Sequence, residues 1–328
     1  MSKVITYKEL LSDLVTDPYD LVGMLELDIR HKPASLAAID QFPMKVPRWF
    51  VSRIKTKDWN DPILRQLWPD QAEEADTANY VVDPLEESRF NPVPGLLHKY
   101  TSRVLLTAAP HCAVHCRYCF RRHFDYDGNA PSRKDWQAAF DHIKADSQIQ
   151  EVLLSGGDPL GLSNKQIKFL VNEIENIPHV NTIRIHTRMT IVLPQRVDKE
   201  LIAILAASRL KVVVVSHCNH TNELSHESYT AFENLASAKV TLLNQSVILA
   251  GVNNDCNTLI SLSRGLFEQG VLPYYIHLPD AVAGTAHFDV PLKQAQQIIG
   301  EVQAQLPGYL VPRLVREEPG EDSKTRYA

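Results

Sequence analysis

The chain has 328 residues, of which 44% are hydrophobic and 22% are charged, a mixture that excludes collagenous, low-complexity and wholly disordered proteins. This length fits one large domain or two medium ones, and an α/β barrel falls within the range. The formal net charge of −5 provides no bulk positive field for a polyanion, so nucleic acid is not an expected partner.

The first hundred residues predict a mainly helical segment that ends in an acidic connection. Apolar residues recur at helical spacing within residues 4–68, where four prolines interrupt them. Seven acidic residues and no basic one fall between Asp70 and Glu87, which predicts an irregular, solvated connection. We therefore predict an N-terminal segment over residues 1–95 and a second unit over residues 96–328.

The apolar stretches of the chain do not predict a membrane protein. Charged residues interrupt the first twenty positions, so a signal peptide with an uninterrupted apolar core is not expected there. Later apolar runs are too short to cross a bilayer. We expect a cytoplasmic protein without a membrane partner.

From residue 103 onward, short β-branched runs alternate with amphipathic stretches. The runs start at residues 104, 152, 182, 212, 240 and 274, and after the first interval they lie about thirty residues apart. That is the size of a strand with its crossover helix, and residues 131–146 and 222–238 are two of the candidate helices. Six such units, with no G-x-G-x-x-G after the first strand, predict an α/β fold with a full or partial barrel.

Unusual polar residues cluster just after the predicted strand ends, which share one rim of a barrel. The densest cluster contains Cys112, Cys116 and Cys119 in a C-x₃-C-x₂-C pattern. Three thiolates on one loop can hold three irons of a [4Fe–4S] cluster and leave the fourth iron open for a ligand. A zinc site that adds His111 or His115 to the same three thiolates is the alternative, because Cys₃His is a common zinc ligand set.

A second cluster, Ser155-Gly156-Gly157-Asp158, follows the second predicted strand. Glycines at this point allow the backbone to approach a ligand closely and offer N–H groups to an anionic or carboxylate end. The turn therefore adds a candidate ligand contact beside the cysteine loop.

These two motifs, with residues 193–196, 244–247 and 273–275, resemble the lysine 2,3-aminomutases of the radical S-adenosylmethionine (SAM) superfamily over roughly residues 90–328. Residues 83–87 and 93–100 resemble the bacterial branch that makes (R)-β-lysine for the modification of elongation factor P. The resemblance implies a partial (β/α)6-type radical SAM barrel with an N-terminal helical segment. It also implies an isomerase that converts (S)-α-lysine to (R)-β-lysine.

The resemblance further implies three cofactors and several partners. A [4Fe–4S] cluster on the three cysteines would bind SAM through its open iron, and pyridoxal 5′-phosphate would form an imine with Lys324, the catalytic lysine. Reduction would come from an electron donor of the flavodoxin or ferredoxin type. Lysine would be the small-molecule substrate, and elongation factor P and its lysine ligase would be functionally linked to the product.

Carried over residue by residue, the resemblance assigns the remaining site residues. Those for SAM are Ser155, Gly156, Gly157, Asp158, His217 and Gln245. Those for pyridoxal phosphate are Lys324, Arg103, Tyr100 and Lys99, the last of which replaces an arginine of the family. Those for the substrate are Arg121 for the α-carboxylate, and Asp280 and Glu317 for the distant ammonium.

Besides Lys99, two differences from the family and three rival functions accompany this assignment. Glu317 replaces the more usual aspartate, and Glu321-Asp322-Ser323 replaces a glycine run before Lys324. The rivals are an aminomutase that releases free β-lysine, one that acts on glutamate, and a zinc-binding module. Two acidic residues at the substrate end favour a cationic substrate over glutamate.

Overall fold

The computed structural model describes residues 6–125 and 133–328, with the side chains of residues 133–135 excepted. The N-terminal segment contains short helices separated by irregular chain. Its helices are α1 (Tyr7–Ser12), α2 (Pro18–Met24), α3 (Leu36–Gln41), α4 (Arg48–Val51) and α5 (Pro62–Arg65), with 3-10 helices at Gln71–Glu74 and Glu87–Phe90. Two short strands, β1 (Leu14–Val15) and β2 (Val46–Pro47), pair antiparallel between these helices.

Two prolines of the N-terminal segment begin helices rather than end them. Pro18 and Pro62 occupy first helical positions, where a missing N–H is not needed. Asp17 and Asp61 cap these helices, and Asp61 accepts hydrogen bonds from two backbone N–H groups. The local sequence therefore sets where α2 and α5 start.

The second part of the chain forms a nine-stranded sheet in which strand follows strand in chain order. Its strands are β3 (Leu96–Tyr100), β4 (Arg103–Ala109), β5 (Glu151–Gly156), β6 (Thr182–Thr187), β7 (Lys211–His217), β8 (Thr241–Val247), β9 (Leu272–His277), β10 (Arg313–Arg316) and β11 (Thr325–Arg326). Strands β4 to β10 are parallel, and antiparallel strands β3 and β11 lie at the two edges. The predicted α/β fold is confirmed, and β10 adds a seventh parallel strand.

Helices connect the parallel strands. They are α6 (Arg133–Ala145), α7 (Asn164–Glu175), α8 (Met189–Val192), α9 (Lys199–Ala207), α10 (His226–Ser237), α11 (Cys256–Glu268) and α12 (Leu292–Gln305). Short 3-10 helices occur at Pro159–Gly161, Pro194–Arg196, Thr221–Glu223, Ala286–Phe288 and Gly308–Leu310. The predicted helix over 131–146 begins outside the described residues, and its described part is α6.

The predicted start of the helix over 222–238 is wrong. Asn222 lies in a separate 3-10 turn, and α10 begins at His226. Ser225 is the cap residue, because its hydroxyl accepts the N–H of Ser228 and the Ser228 hydroxyl accepts the N–H of Ser225. This reciprocal pair satisfies two backbone N–H donors at the start of α10. A cap at Asn222 would lie three residues too early to reach them.

One apolar core joins the N-terminal segment to the sheet. Leu21, Phe50 and Trp68 belong to the same cluster of buried side chains as Phe140 and Phe232 of the barrel helices. A second cluster packs α11 and α12 against β9 and β10. Within the described residues, none of the helices combines the length and apolar character needed to cross a bilayer.

Buried and partly buried side chains alternate along the strands, and this alternation separates a helix-covered face from the interior of the partial barrel. On β6, Ile183, Ile185 and Thr187 are buried, whereas His186 is only partly buried. In the parallel register His217 of β7 lies beside Gln245 of β8, so the two side chains share the interior face. The strand-end residues predicted for the site therefore meet at the carboxyl ends of neighbouring strands.

Candidate active site

The loop after β4 holds the three motif cysteines, which are partly buried and form no disulfide. Cys119 donates its backbone N–H to the carbonyl of Cys116 at 3.0 Å, which closes a tight turn between them. Arg117 donates its backbone N–H to the Gln66 carbonyl at 2.9 Å, so the N-terminal segment supports the loop from behind. The sequence motif is thus presented on a loop fixed by its own backbone contacts.

The three thiols are close enough to influence one another. Burial, and then the neighbouring charges of Asp158, Cys119 and Cys116, raises the pKa of Cys112 well above its usual value. Burial and Cys116 raise the pKa of Cys119 to about 12. Such thiols become thiolates only when a cation compensates the charge, which is what iron binding supplies. The donor set therefore fits a [4Fe–4S] cluster on Cys112, Cys116 and Cys119.

The zinc alternative would need a fourth ligand beside these thiols. His115 holds its Nδ1 atom 2.7 Å from the Pro43 carbonyl oxygen and stacks on Phe42 at a ring distance of 4.6 Å. Among the described residues, no three His, Cys, Asp or Glu side chains are arranged around a point where one metal ion could bind. A cluster differs in this respect, because it distributes its thiolates over separate irons.

Behind the cysteine loop lies a buried ion triad of Glu73, Arg117 and Arg122. Arg117 donates through Nε at 2.8 Å and Nη2 at 2.5 Å to the two Glu73 carboxylate oxygens, and Arg122 donates at 2.7 Å. Glu73 was expected in a solvated acidic connection, and that prediction is wrong for this residue, which is 5% exposed. The acidic connection instead neutralises arginines of the cysteine motif.

Gly156 and Gly157 bring the turn after β5 against the loop that leads to the cysteines. Gly156 has φ +106°, and a Cβ atom at Gly157 would lie only 2.5 Å from the His111 carbonyl oxygen. Both positions therefore require glycine for close backbone approach. This contact with the chain itself accounts for the two glycines, and SAM binding by them stays a prediction.

Asp158 organises the turn after β6. Its carboxylate accepts the Thr187 hydroxyl at 2.7 Å and the backbone N–H groups of Leu160, Arg188 and Met189 at 3.0, 2.7 and 3.2 Å. Burial raises the pKa of Asp158 although these hydrogen bonds oppose the shift. The motif aspartate thus holds two strand-end turns together.

His217 and Gln245 stand side by side at the ends of β7 and β8, above the cysteine loop. The Nε2 atom of His217 lies 2.9 Å from the Tyr118 hydroxyl, and the two rings stack. Burial lowers the pKa of His217 to about 3, so the ring is neutral near pH 7. SAM binding by His217 and Gln245 stays a prediction.

Glu317 gathers three of the predicted pyridoxal phosphate residues. Lys99 donates to its Oε1 atom at 2.8 Å, and Tyr100 and Lys324 also contact the carboxylate through short hydrogen bonds. Burial opposes ionisation of Glu317, but Lys324 and the other donors outweigh it and lower the pKa to about 2. The guanidinium of Arg103 lies 4.0 Å above the Tyr100 ring.

This arrangement fits an anionic cofactor group. Lys99 and Tyr100 converge on the Glu317 carboxylate beside Arg103, and the ammonium, phenol and guanidinium donors of these three residues suit the oxygens of a phosphate. The structure therefore brings Lys99, Tyr100, Arg103 and Lys324 together as predicted. It places Glu317 at their centre.

Asp280 follows β9 and lies near the same lysine. Burial raises the pKa of Asp280 to about 7; Lys324 lowers this pKa, and Glu317 raises it. Glu317 thus contacts the Lys324 ammonium group, and the charge of the same lysine acts on Asp280, in keeping with the predicted anionic end of a lysine site. A second ammonium group would relieve the repulsion between the two carboxylates.

Arg121 is positioned by a glutamate that sequence reasoning did not identify. Glu87 accepts from Nε at 2.9 Å and Nη2 at 2.5 Å of the guanidinium. The Nη1 atom lies 3.3 Å from the Ser155 hydroxyl and 3.4 Å from the Gly156 carbonyl oxygen. One edge of the guanidinium fork is therefore fixed by Glu87, and the Nη1 end reaches the glycine turn.

Two further histidines line the interior near Lys324. The Nε2 atoms of His186 and His277 are buried and have no hydrogen-bond partner in the part of the chain that the structure describes. Burial, followed by charges that include Lys324, lowers the pKa of both rings. Their positions as the last or second-last residues of parallel strands are the sequence signal that could have identified them.

Comparison with known proteins places these features in a family context. Residues 106–253 match the model of the Radical SAM superfamily. The L-lysine 2,3-aminomutase of Haemophilus influenzae is 44% identical over 319 residues, which cover 97% of this chain and 94% of that protein. The proteins of the same name from Escherichia coli and Buchnera aphidicola are 44% and 42% identical, with 96% of this chain and 92% and 93% of the relatives covered.

Proposed function

The chain belongs to the lysine 2,3-aminomutase family of the radical SAM superfamily, and from this premise we propose that it uses pyridoxal phosphate to convert (S)-α-lysine to (R)-β-lysine for elongation factor P. Membership makes the protein an isomerase. The superfamily uses a [4Fe–4S] cluster and SAM. The cofactor on Lys324, the stereochemistry and the destination of the product are the proposed parts.

The observation that carries the proposal is the position of Lys324. The fold brings this lysine into contact with Glu317, near Asp280 and beside Lys99 and Tyr100. A lysine among acids and phosphate-binding donors can attach pyridoxal phosphate covalently while a cationic substrate end is held nearby. A solvated tail lysine would have none of these neighbours.

The residues of the chain have distinct roles in this proposal. When bound, SAM on the reduced cluster supplies the radical that removes hydrogen from the lysine β-carbon, while pyridoxal phosphate carries the migrating amino group. Arg121 binds the substrate α-carboxylate with the fork that Glu87 orients. Asp280 receives the distant ammonium group, and Lys99, Tyr100 and Arg103 hold the phosphate.

Glu317 is suited to bind an ammonium group. Its carboxylate contacts the Lys324 ammonium group, and the far end of lysine is an ammonium group of the same kind. Glu317 would therefore accept the distant substrate ammonium together with Asp280. These two acids favour a cationic amino acid over glutamate, because glutamate would bring a third carboxylate to the same point.

The central experiment is anaerobic incubation with lysine, SAM, pyridoxal phosphate and dithionite, followed by chiral separation of the lysine isomers. We expect (R)-β-lysine from the natural protein and none from K324A. K293A, which changes an exposed lysine on α12, is the matched control and should retain the activity. Borohydride reduction should fix the pyridoxal chromophore to the natural protein and to K293A. Glutamate turnover in place of lysine turnover would overturn the substrate assignment.

The link to elongation factor P needs a separate experiment. It is supported by the resemblance of residues 83–87 and 93–100 to the bacterial branch with that role. Product from the natural protein should be transferred to elongation factor P by its lysine ligase, detected as a mass increase of the intact factor. Accumulation of free β-lysine that the ligase does not accept would favour an aminomutase that releases free β-lysine.

Iron and sulfide analysis tests the alternative that the protein is a zinc-binding module. Anaerobically purified protein is expected to contain iron and inorganic sulfide, with reduction supported by a flavodoxin or ferredoxin type of donor. A zinc-binding module would instead contain zinc and would give colourless protein.

A further inference from the structure

Arg188 connects the end of β6 to the cysteine loop. Its Nη1 atom donates to the Cys116 sulfur at 2.6 Å, and its backbone N–H donates to Asp158 at 2.7 Å. The side chain is 6% exposed. A guanidinium in this position makes a charge-assisted hydrogen bond to a sulfur that the family uses as an iron ligand.

The opposite side of the Arg188 fork is fixed by buried partners. Its Nη2 atom donates to Glu223 at 2.8 Å and to the Gln66 side-chain oxygen at 2.8 Å. Glu223 also accepts the Gln66 amide at 3.1 Å and the backbone N–H groups of Asn219 and His220 at 3.0 Å. The guanidinium cannot move away from Cys116 without breaking this network.

We propose that Arg188 is a positioning residue for the cluster that makes its reduction more favourable, and that Glu223 moderates this effect. In the step concerned, an external low-potential reductant loses one electron and the cluster gains one negative charge. A fixed positive charge beside a thiolate ligand stabilises that additional charge, and hydrogen bonds to cluster sulfurs act in the same direction. Glu223 opposes part of the effect because its carboxylate lies on the other side of the same guanidinium.

The opposite charges of Arg188 and Glu223 should shift the cluster potential in opposite directions, which distinguishes an electrostatic role of Arg188 from a purely structural one. R188Q removes the positive charge and should make cluster reduction about tenfold less favourable, a shift of about 59 mV to more negative potential for one electron. E223Q keeps the shape of the side chain and removes the negative charge, so its potential should shift in the opposite direction. Loss of packing alone gives no reason for opposite signs.

The test is a mediated redox titration of anaerobically reconstituted protein, followed by electron paramagnetic resonance of the reduced cluster without lysine. R188K keeps the charge and should stay closer to the natural potential than R188Q. R184Q is the matched control, because Arg184 lies on β6, the strand that Arg188 follows, and pairs with Glu151 rather than with a cysteine. Its potential should match that of the natural protein.

Three results would overturn the proposal: an unchanged R188Q potential, shifts of R188Q and E223Q in the same direction, or an equal shift in R184Q. If R188Q fails to hold a cluster, the sign of the E223Q shift decides, since a positive shift supports the proposal and no shift overturns it. The proposal rests on the cluster and not on the substrate. Protein that shows these potentials but makes no β-lysine would contradict the proposed function alone.

Discussion

Asp280, which we propose binds the substrate ammonium group, illustrates how such a residue can reduce the stability of the protein that carries it. Its pKa of about 7 in the folded protein exceeds the ordinary value of 3.8, chiefly because of burial. The folded state therefore holds the proton more tightly than the unfolded state. The resulting penalty is absent below about pH 4, builds up as pH rises to about 7, and is complete above that.

D280N should therefore stabilise the apoprotein at pH 8, by at most about 4 kcal/mol, because the amide removes a buried charge. Urea unfolding at pH 8 and at pH 4 measures the difference, which should be small at the lower pH. The same variant should lose most lysine turnover. A D280N protein that is no more stable than the natural one at pH 8 would contradict the assignment of Asp280 as a penalised buried acid.

Glu87 should control how well Arg121 binds the substrate carboxylate. E87Q keeps the side-chain length but replaces a charge-assisted pair by a weaker contact, so Arg121 loses its fixed orientation. We expect the KM for lysine to rise about tenfold, about 1.4 kcal/mol, with a smaller change in kcat. Steady-state kinetics on the anaerobic enzyme measure both constants.

E86Q is the matched control. Glu86 is the residue next to Glu87, and its carboxylate pairs with the exposed Arg89. Its KM should equal that of the natural protein. A fall in the KM of E87Q would show that Glu87 competes with the substrate for Arg121, which would contradict the positioning role.

Individual residues were predictable where a motif fixed their chemistry. The cysteine loop and the residues around Lys324 were anticipated, and the structure brings Lys99, Tyr100 and Lys324 together. The carboxylates that hold arginines, Glu73 and Glu87, were not, because an acidic run looks the same in sequence whether it is solvated or buried. Only the fold determines which acid faces a guanidinium.

At the scale of elements, the ion triad ties the Gln71–Glu74 turn to the cysteine loop. E73Q would leave two buried guanidinium groups, Arg117 and Arg122, without their shared countercharge. Removal of one partner from such a buried group typically costs about 3–5 kcal/mol. The free energy of unfolding in urea and the iron content of anaerobically purified E73Q should both decrease.

E74Q provides the comparison for this prediction, because the exposed Glu74 accepts only the Ser35 hydroxyl among the contacts found in the described residues. It should unfold like the natural protein and hold the same amount of iron. Equal stabilities of E73Q and E74Q would show that the triad is not a support of the loop.

The last strand, β11, determines where Lys324 lies. Glu318 accepts the Thr325 hydroxyl and, at 2.8 Å, the Tyr327 hydroxyl, so it fastens β11 beside β10. E318A should loosen this strand and reduce the amount of pyridoxal label that borohydride fixes to Lys324 several-fold. Peptide mapping by mass spectrometry measures the label, and E321A in the same loop should retain it. Equal labelling of both variants would show that β11 does not position the lysine.

Element prediction succeeded where periodicity was long enough to read. Six parallel strands were expected and are present, because β-branched runs mark them and, after the first interval, consecutive runs start about thirty residues apart. Strands β3, β10 and β11 of the same sheet have five, four and two residues and were not predicted. Short strands at or next to a sheet edge depend on the neighbour with which they pair, and that information is not local in the chain.

For the whole molecule, the shared core predicts that the barrel depends on the N-terminal segment. Leu21, Phe50 and Trp68 are at most 2% exposed within the cluster that includes the barrel helices. A fragment of residues 96–328 would expose the surface that they cover. We expect the fragment to bind a hydrophobic dye and to lack a cooperative unfolding transition, whereas the full chain unfolds cooperatively. A cooperative fragment would contradict this dependence.

The division at residues 95 and 96 stays a prediction about domain organisation. Composition distinguished the two regions, but it could not show how much apolar surface they share. The family resemblance anticipated the barrel and its site from motifs, whereas the packing between the regions depends on side chains more than a hundred residues apart. Such long-range contacts are the information that one sequence does not contain.

The contacts that support the cysteine loop bear on how the protein responds to oxygen. His115 and Arg117 anchor the loop to Lys45 and Gln66 through backbone atoms, and Glu73 anchors it through charge. None of these contacts involves sulfur, so oxygen damage that removes the iron leaves the scaffold of the loop in place. Repair then needs a supply of iron and sulfide but no refolding, and far-ultraviolet circular dichroism, which reports the backbone, should be unchanged through a cycle of cluster loss and restoration.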